Sequence, residues 1–331
     1  MRDMMNSPLL GPSFSKGSEF LDIFYDEVEV KIGAKASIGL YVLRIDAGEL
    51  SVNQMYEKLH NASFGYVFSR QTQEQVTPDN FMEISAKVHS RFRFPEKNSG
   101  EGGEMLLYAF LEGHLGAPKL LTKMELKTAG NDYVKGSDGI HLLDLGDSKY
   151  HLIFGESKMY GDTAGKSGLH SAIYAAFESM AKVRDGFYEF DTWLVDSGLL
   201  KEAADEQTLA ALKELLIPSA KGSVKKDNAF GVFFGYEVDA TEWDRLEMDA
   251  LAIERKIQDS AHEVVASQVE YVRTRMREKG LEGAHFYVYA VPFLKTTRNS
   301  KPYGIEEVRI ELAEKLSGQK YVEKPVKKVP K

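Results

Sequence analysis

The string HLIFGESKM, His151 to Met159, narrows most what this chain can fold into. An apolar run of this length next to turn signals reads as a buried strand. Its far end nevertheless carries Glu156 and Lys158, and side chains two apart in a strand share a face, so the carboxylate and the ammonium point the same way. A surface ion pair would be worth little. On a buried strand the same pair is costly unless something compensates it. The fold must therefore bring other polar groups to this strand end.

One such group comes from the strand before it. SDGIHLLDL, Ser137 to Leu145, is joined to the first string through the turn signal Gly146-Asp147-Ser148. With a three-residue loop, Leu145 falls opposite Lys149, Ile140 opposite Phe154, Leu142 opposite Leu152, and Asp138 opposite Glu156. Opposed residues share a face with Cβ atoms about 4.5 to 5.5 Å apart. A two-residue loop would set Asp138 against Gly155 and place the two carboxylates on opposite faces. The first register therefore predicts one sheet face bearing Asp138, Glu156 and Lys158. Two carboxylates so close repel each other unless a cation lies between them. An all-oxygen donor set suits Mg²⁺ or Mn²⁺. Such an ion polarises phosphoryl oxygens and acidifies bound water, and a lysine beside it stabilises charge developing on a phosphate. The constellation points to phosphodiester hydrolysis.

The following turn, GDTAGKSG, offers a rival reading as a nucleotide-binding loop. The spacing is G-x-x-x-G-K-S, one residue short of the Walker A pattern, because Tyr160 stands where the first glycine belongs. Removing one residue from so tight a loop changes which amides converge on a phosphate. TWLVD, ending at Asp196, is a weak second carboxylate. A strand-to-helix turn in which Lys166 and Ser167 start the helix is the better account.

Elsewhere helices and strands alternate, which gives an α/β or mixed α+β class. EVEVKI and SIGLYVLRI read as strands and SVNQMYEKLHNA as a helix. FPEKNSGEGG reads as a linker, and EMLLYAFLEGHLG as a short apolar helix opening at Glu104. LTKMELKTA reads as a strand, KSGLHSAIYAAFESMAKVRDGF and EQTLAALKELLI as helices, AFGVFFGYEV and AHFYVYAVPF as strands. A single long helix is expected over about Glu242 to Lys279, and a last one near IEEVRIELAEKL. No apolar run approaches the roughly 18 to 20 residues of a membrane span. The first twenty residues lack a sustained apolar core, so no leader is expected and the cytoplasm is the default. With no cysteine, disulfides, thiolate zinc sites and cysteine nucleophiles are excluded. The net charge of −8 is not that of a free-standing DNA binder, so attraction to nucleic acid must come from metal ions, a local basic groove or a partner.

Three features together resemble the PD-(D/E)xK nuclease core: a glutamate on a helix, Ser137-Asp138 on one strand and E-x-K on the next, with seventeen residues between Asp138 and Glu156. The departure is Ser137 in place of proline, at a loosely kept position. The wider run GEGGEMLLYAFLEGHLGAPKLLTKMELKT, with VKGSDGIHLL and FGESKMYGD, is similar to the HamA family, the nuclease subunits of Hachiman anti-phage defence systems. The resemblance implies a restriction-endonuclease-like core over residues 99–318. It is preceded by an N-terminal accessory or partner-docking region, 1–98, and followed by a basic tail, 319–331. It implies Glu104, with Glu112 as runner-up, on the first core helix. Asp138, Glu156 and the backbone carbonyl of Ser157 would be metal ligands, Glu104 would act directly or through water, and Lys158 would act on the water or the phosphate. It also implies DNA as substrate and a superfamily 2 helicase, HamB-like, as partner, which senses aberrant DNA and releases broad degradation. Such a nuclease must be restrained, so the isolated chain is expected to be silent or weakly active.

Several further residues have two readings each. Lys135, Lys166 and His170 are candidate substrate contacts, with solvated surface positions as the simpler account; Lys127 stands likewise. His141 and His151 fall on the hairpin face opposite Asp138 and are read as structural. RFRF, Arg91 to Phe94, is either a nucleic-acid strand or an amphipathic strand beside the linker. Arg273, Arg275 and Arg277 form a partner face or a solvated one. Two rival functions remain beside the nuclease: a non-catalytic interaction subunit of a helicase complex, and the P-loop nucleotide binder.

Overall fold

The structure is a computed structural model that describes residues 9–14, 17–95, 100–122, 137–163, 165–186, 206–216 and 225–322. Lys127, Lys135, Asp196 and the end of the basic tail lie outside the described residues.

Helix α1 (Gly17–Leu21) leads into β1 (Val28–Gly33) and β2 (Ala36–Leu40), then a small hairpin of β3 (Ile45–Asp46) and β4 (Glu49–Leu50). Its turn residues Ala47 and Gly48 both have positive φ, 49° and 75°, as such tight hairpins require. Helices α2 (Val52–Val67), α3 (Arg70–Glu74), α4 (Phe81–Arg91) and α5 (Glu101–Gly113) follow. Then come β5 (Lys119–Thr122), β6 (Gly139–Asp144), β7 (Lys149–Met159), α6 (Gly168–Asp185), α7 (Glu206–Leu216) and β8 (Lys225–Asp239). Helices α8 (Ala250–Ser267) and α9 (Val269–Glu278), strands β9 (His285–Arg298) and β10 (Lys301–Tyr303), and helix α10 (Ile305–Ser317) complete the chain.

One mixed sheet in the order β1-β2-β9-β8-β7-β6-β5 holds these together, with β10 paired to β9. Strands β7, β8, β9 and β2 run parallel, while β1, β6 and β5 are antiparallel to their neighbours. The central strands β8 and β9 are covered on both sides, which is why they read as nearly unbroken apolar runs. On one face α5 sets Phe110 against Phe233 and Tyr289. On the other, Phe177 of α6 meets Phe286.

The mixed α/β architecture is the one expected. The N-terminal segment, however, is woven into the same sheet: β2 pairs with β9 along Ala36–Leu40, so residues before 98 are not a separate layer. RFRF is no strand: Arg91 ends α4, Phe92 is buried against Tyr66, and the Arg93 amide donates to Glu101. The long helix is broken at Gln268, the shared boundary of α8 and α9. Helix α5 begins at Glu101, inside the supposed linker. Glycine is a poor helix former, but here packing decides. A Cβ on Gly102 would stand 2.8 Å from the Leu312 side chain, and one on Gly103 would stand 3.3 Å from Ser157 and Met159. The two glycines let the first turn of α5 settle against α10 and β7.

Candidate active site

The hairpin has the register that its apolar residues dictate: Ile140 opposite Phe154, Leu142 opposite Leu152, Gly139 opposite Gly155. Gly139 is the last paired residue of β6, while β7 continues beside β8 to Met159. Among the described residues no strand pairs with β7 on its β6 side from Glu156 onward, and a notch opens there. Asp138 stands at its mouth. Being one residue outside β6, its side chain is not bound to the strand's alternation, and its carboxylate turns to the notch. Oδ2 accepts the Ser157 amide and the Ser157 hydroxyl, both at 2.7 Å.

This alters the expected arrangement. Ser157 and Met159 face α5, since they are what a Cβ on Gly103 would meet. Glu156 and Lys158 alternate with them on the strand. Glu156 Oε1 accepts a hydrogen bond from Lys158 Nζ. Instead of one row on a sheet face there are two linked pairs, Asp138 with Ser157 and Glu156 with Lys158. Among the described residues no three His, Asp or Glu side chains converge as a ready cation cage.

Glu104 enters from the first turn of α5, where the helix dipole favours a carboxylate. Its Oε2 accepts the Tyr66 hydroxyl at 3.2 Å. Burial, and then Glu104 itself, push the Tyr66 phenol well above its ordinary pKa, so it is a neutral donor. Glu104, Asp138, Ser157 and Lys158 line one cavity of about 160 Å³, with Gly100, Gly103, Met159, Tyr160 and Arg309. That is room for on the order of five waters. The carboxylates are hard oxygen donors, and Mg²⁺ is commonly held by one or two of them with water completing its shell. Glu104, Asp138 and the Ser157 carbonyl fit that pattern, whereas Glu156, also expected as a ligand, is not in the cavity lining and pairs with Lys158.

The charge on Lys158 is fixed by its neighbours. Burial works against it, but Glu156, and less strongly Asp138 and Tyr160, raise its pKa above the ordinary lysine value. Lys158 is a cation here, not a base.

The remaining candidates sort clearly. Glu112 is a structural anchor: it accepts the amides of Ser13, Phe14 and Lys119 and the Ser13 hydroxyl. His141 is buried, donates Nδ1–H to the Ala117 carbonyl, and is pushed down to about 4 mainly by burial. His151 hydrogen-bonds with the Tyr287 hydroxyl. His170 is exposed on α6 but stacks on Tyr271 and donates to Gln268 of the adjoining turn. Lys166 is exposed, and its backbone closes on Thr163 in a tight bridge, not in a phosphate cradle. Arg275 is buried between Glu178 and Glu278 and ties α9 to α6. Arg273 caps the Ile32 carbonyl and Arg277 pairs with Glu282.

Two residues at the site were not singled out in the sequence: Tyr66, which donates to Glu104, and Arg309, which lines the cavity. Nothing local marks Tyr66. Arg309 did carry a signal: it occupies a buried position of α10 among Ile305, Val308, Leu312 and Leu316, where the helical spacing calls for an apolar residue.

The chain belongs to the HamA family, whose sequence profile matches residues 18–305. It is therefore a component of Hachiman anti-phage defence. No curated protein and no solved structure gave a match. Among the described residues no helix is long and apolar enough to cross a membrane.

Proposed function

We propose, from the premise that this is a HamA component of Hachiman defence, that the chain is the system's metal-dependent nuclease. It would hydrolyse DNA phosphodiester bonds in the cytoplasm under the control of a superfamily 2 helicase subunit. The observation that carries this reading is the sharing of one cavity by Glu104, Asp138, Ser157 and Lys158, at the notch where β7 outruns β6.

A bound Mg²⁺ or Mn²⁺ would supply Lewis acidity toward a phosphoryl oxygen and a more acidic water. Asp138 and Glu104, with the Ser157 carbonyl, would hold it. The Ser157 amide and hydroxyl hold the Asp138 carboxylate in one orientation. Lys158, held as a cation by Glu156, would donate to the phosphate oxygens as negative charge grows there. Because it keeps its proton, it would position the attacking water or stabilise the phosphate, and not abstract a proton. The excess of 50 acidic over 42 basic residues gives the chain little long-range attraction for DNA, which favours delivery by a partner.

The test is plasmid cleavage in Mg²⁺ by wild type, Glu156→Ala and Lys158→Ala, without and then with the helicase and ATP. Wild type is expected to be silent or weak alone and active in the complex, with activity lost in both variants and in EDTA. Cleavage that survives both substitutions, or no cleavage in any condition, would leave a non-catalytic docking subunit as the better reading.

A further inference from the structure

We infer that Arg309 is a phosphate-binding residue of this cavity, a second cation that grips the DNA backbone beside Lys158; the inference rests on the nuclease reading. Arg309 is 8% exposed, in a residue type rarely buried to that degree without a partner. Its Nη1 donates to the Met159 carbonyl at 3.2 Å, at the very end of β7. Glu104, Asp138 and Lys158 line the same cavity as Arg309. With a metal ion on the carboxylates and Lys158 beside them, Arg309 would add a third positive group for a phosphate to meet. The planar guanidinium fork matches two oxygens of a phosphate.

The helix that carries Arg309 is firmly placed. The Glu237 carboxylate accepts the Ile305 amide at 2.9 Å and the Asp162 amide at 2.9 Å, tying the start of α10 to the turn after β7. Glu307 closes back on the Gly304 amide at 2.8 Å. Leu312, one turn beyond Arg309, packs where Gly102 has no side chain. The guanidinium is thus presented by a rigid element, as a substrate contact requires.

The test compares full-length wild type, Arg309→Met and Arg309→Lys for binding of a short duplex DNA in Ca²⁺, over a range of salt concentrations. Melting temperatures and Mg²⁺-dependent cleavage in the helicase complex are measured on the same proteins. Arg309→Met is expected to bind about ten- to a hundredfold more weakly, as for loss of a charge-assisted hydrogen bond. Its salt slope should fall by about one, while Arg309→Lys keeps the wild-type slope. Unchanged affinity and slope in Arg309→Met would overturn the inference. So would equal losses in both variants accompanied by a lowered melting temperature, which is what a purely structural clamp on Met159 would give. If wild type never cuts DNA yet binds it through Arg309, the nuclease reading falls and the phosphate contact stands.

Discussion

Asp138 Oδ2 receives both donors of a single residue, the amide and the hydroxyl of Ser157, each at 2.7 Å. The contact extends the tie between the two strands past Gly139, the last paired residue of β6, and so gives a candidate metal ligand a structural task as well. Both groups are buried, which makes the two tasks separable by substitution.

Asp138→Asn keeps an oxygen that can accept the Ser157 amide but removes the charge. Asp138→Ala removes both and leaves a buried N–H without an acceptor. Both variants are expected to abolish cleavage. In urea unfolding, Asp138→Ala should also lose about 1–3 kcal/mol relative to Asp138→Asn. Equal stability of the two would mean that the Ser157 contact is not made in solution.

Lys158 should behave as a fixed charge. Since its pKa is raised, it stays protonated across the neutral range, and cleavage should show no inflection from it between about pH 6 and 9. Lys158→Arg is expected to retain measurable cleavage and Lys158→Met none above background. The sign for stability follows from the same shift. The contribution is complete below the ordinary value of 10.5 and is lost as the pH climbs through the higher folded value. Alkaline unfolding should therefore be steeper in wild type than in Lys158→Met. A Lys158→Met profile that overlays wild type would contradict the assignment.

His141 sets an acid limit. Its folded pKa is pushed down to about 4 by burial, below the ordinary 6.5, so the unfolded chain binds the proton first. Stability is full above about pH 6.5 and falls as the pH drops toward about 4, by on the order of 3 kcal/mol from this group alone. His141→Gln should flatten that limb in thermal melts taken between pH 7 and about 4.5. An unchanged slope would place the proton uptake elsewhere.

The hairpin was legible because its register is over-determined: sliding β6 by one residue would put Ile140 and Leu142 on the wrong face. What periodicity could not give was the aim of Asp138, which stands one residue past the last pair and answers to the lone Ser157 amide. Glu104 was legible as a carboxylate of the helix's first turn, but the start of that helix at Glu101 was not, because Gly102 and Gly103 look like a linker until Leu312, Ser157 and Met159 are packed against them. The role of Glu112 needed the N-terminal segment folded over α5, a contact between residues about a hundred positions apart. Arg309 differs again: it is the charged member of an otherwise apolar buried stripe of α10, and only the packing of that helix against β7 brings it to the Met159 carbonyl.

Gly168 offers a test of how tightly the cavity is held from behind. A Cβ there would stand 2.1 Å from the Tyr160 carbonyl and 2.8 Å from the Gly161 backbone, atoms that cannot rotate away. Gly168→Ala must therefore push the start of α6 off the chain that leaves β7, at a cost of about 1–3 kcal/mol. Because Tyr160 lines the cavity beside Lys158, the same displacement should lower cleavage at saturating DNA, an effect that a distant loss of stability would not produce at low temperature. Gly146→Ala is the control: its φ is 78° and nothing lies near a Cβ, so it strains only the hairpin turn. It should lower the melting temperature with little effect on cleavage at 20 °C or thereabouts, roughly the cost of an L-residue in the left-handed region. Equal activity losses in the two variants would show that the notch is not braced through α6.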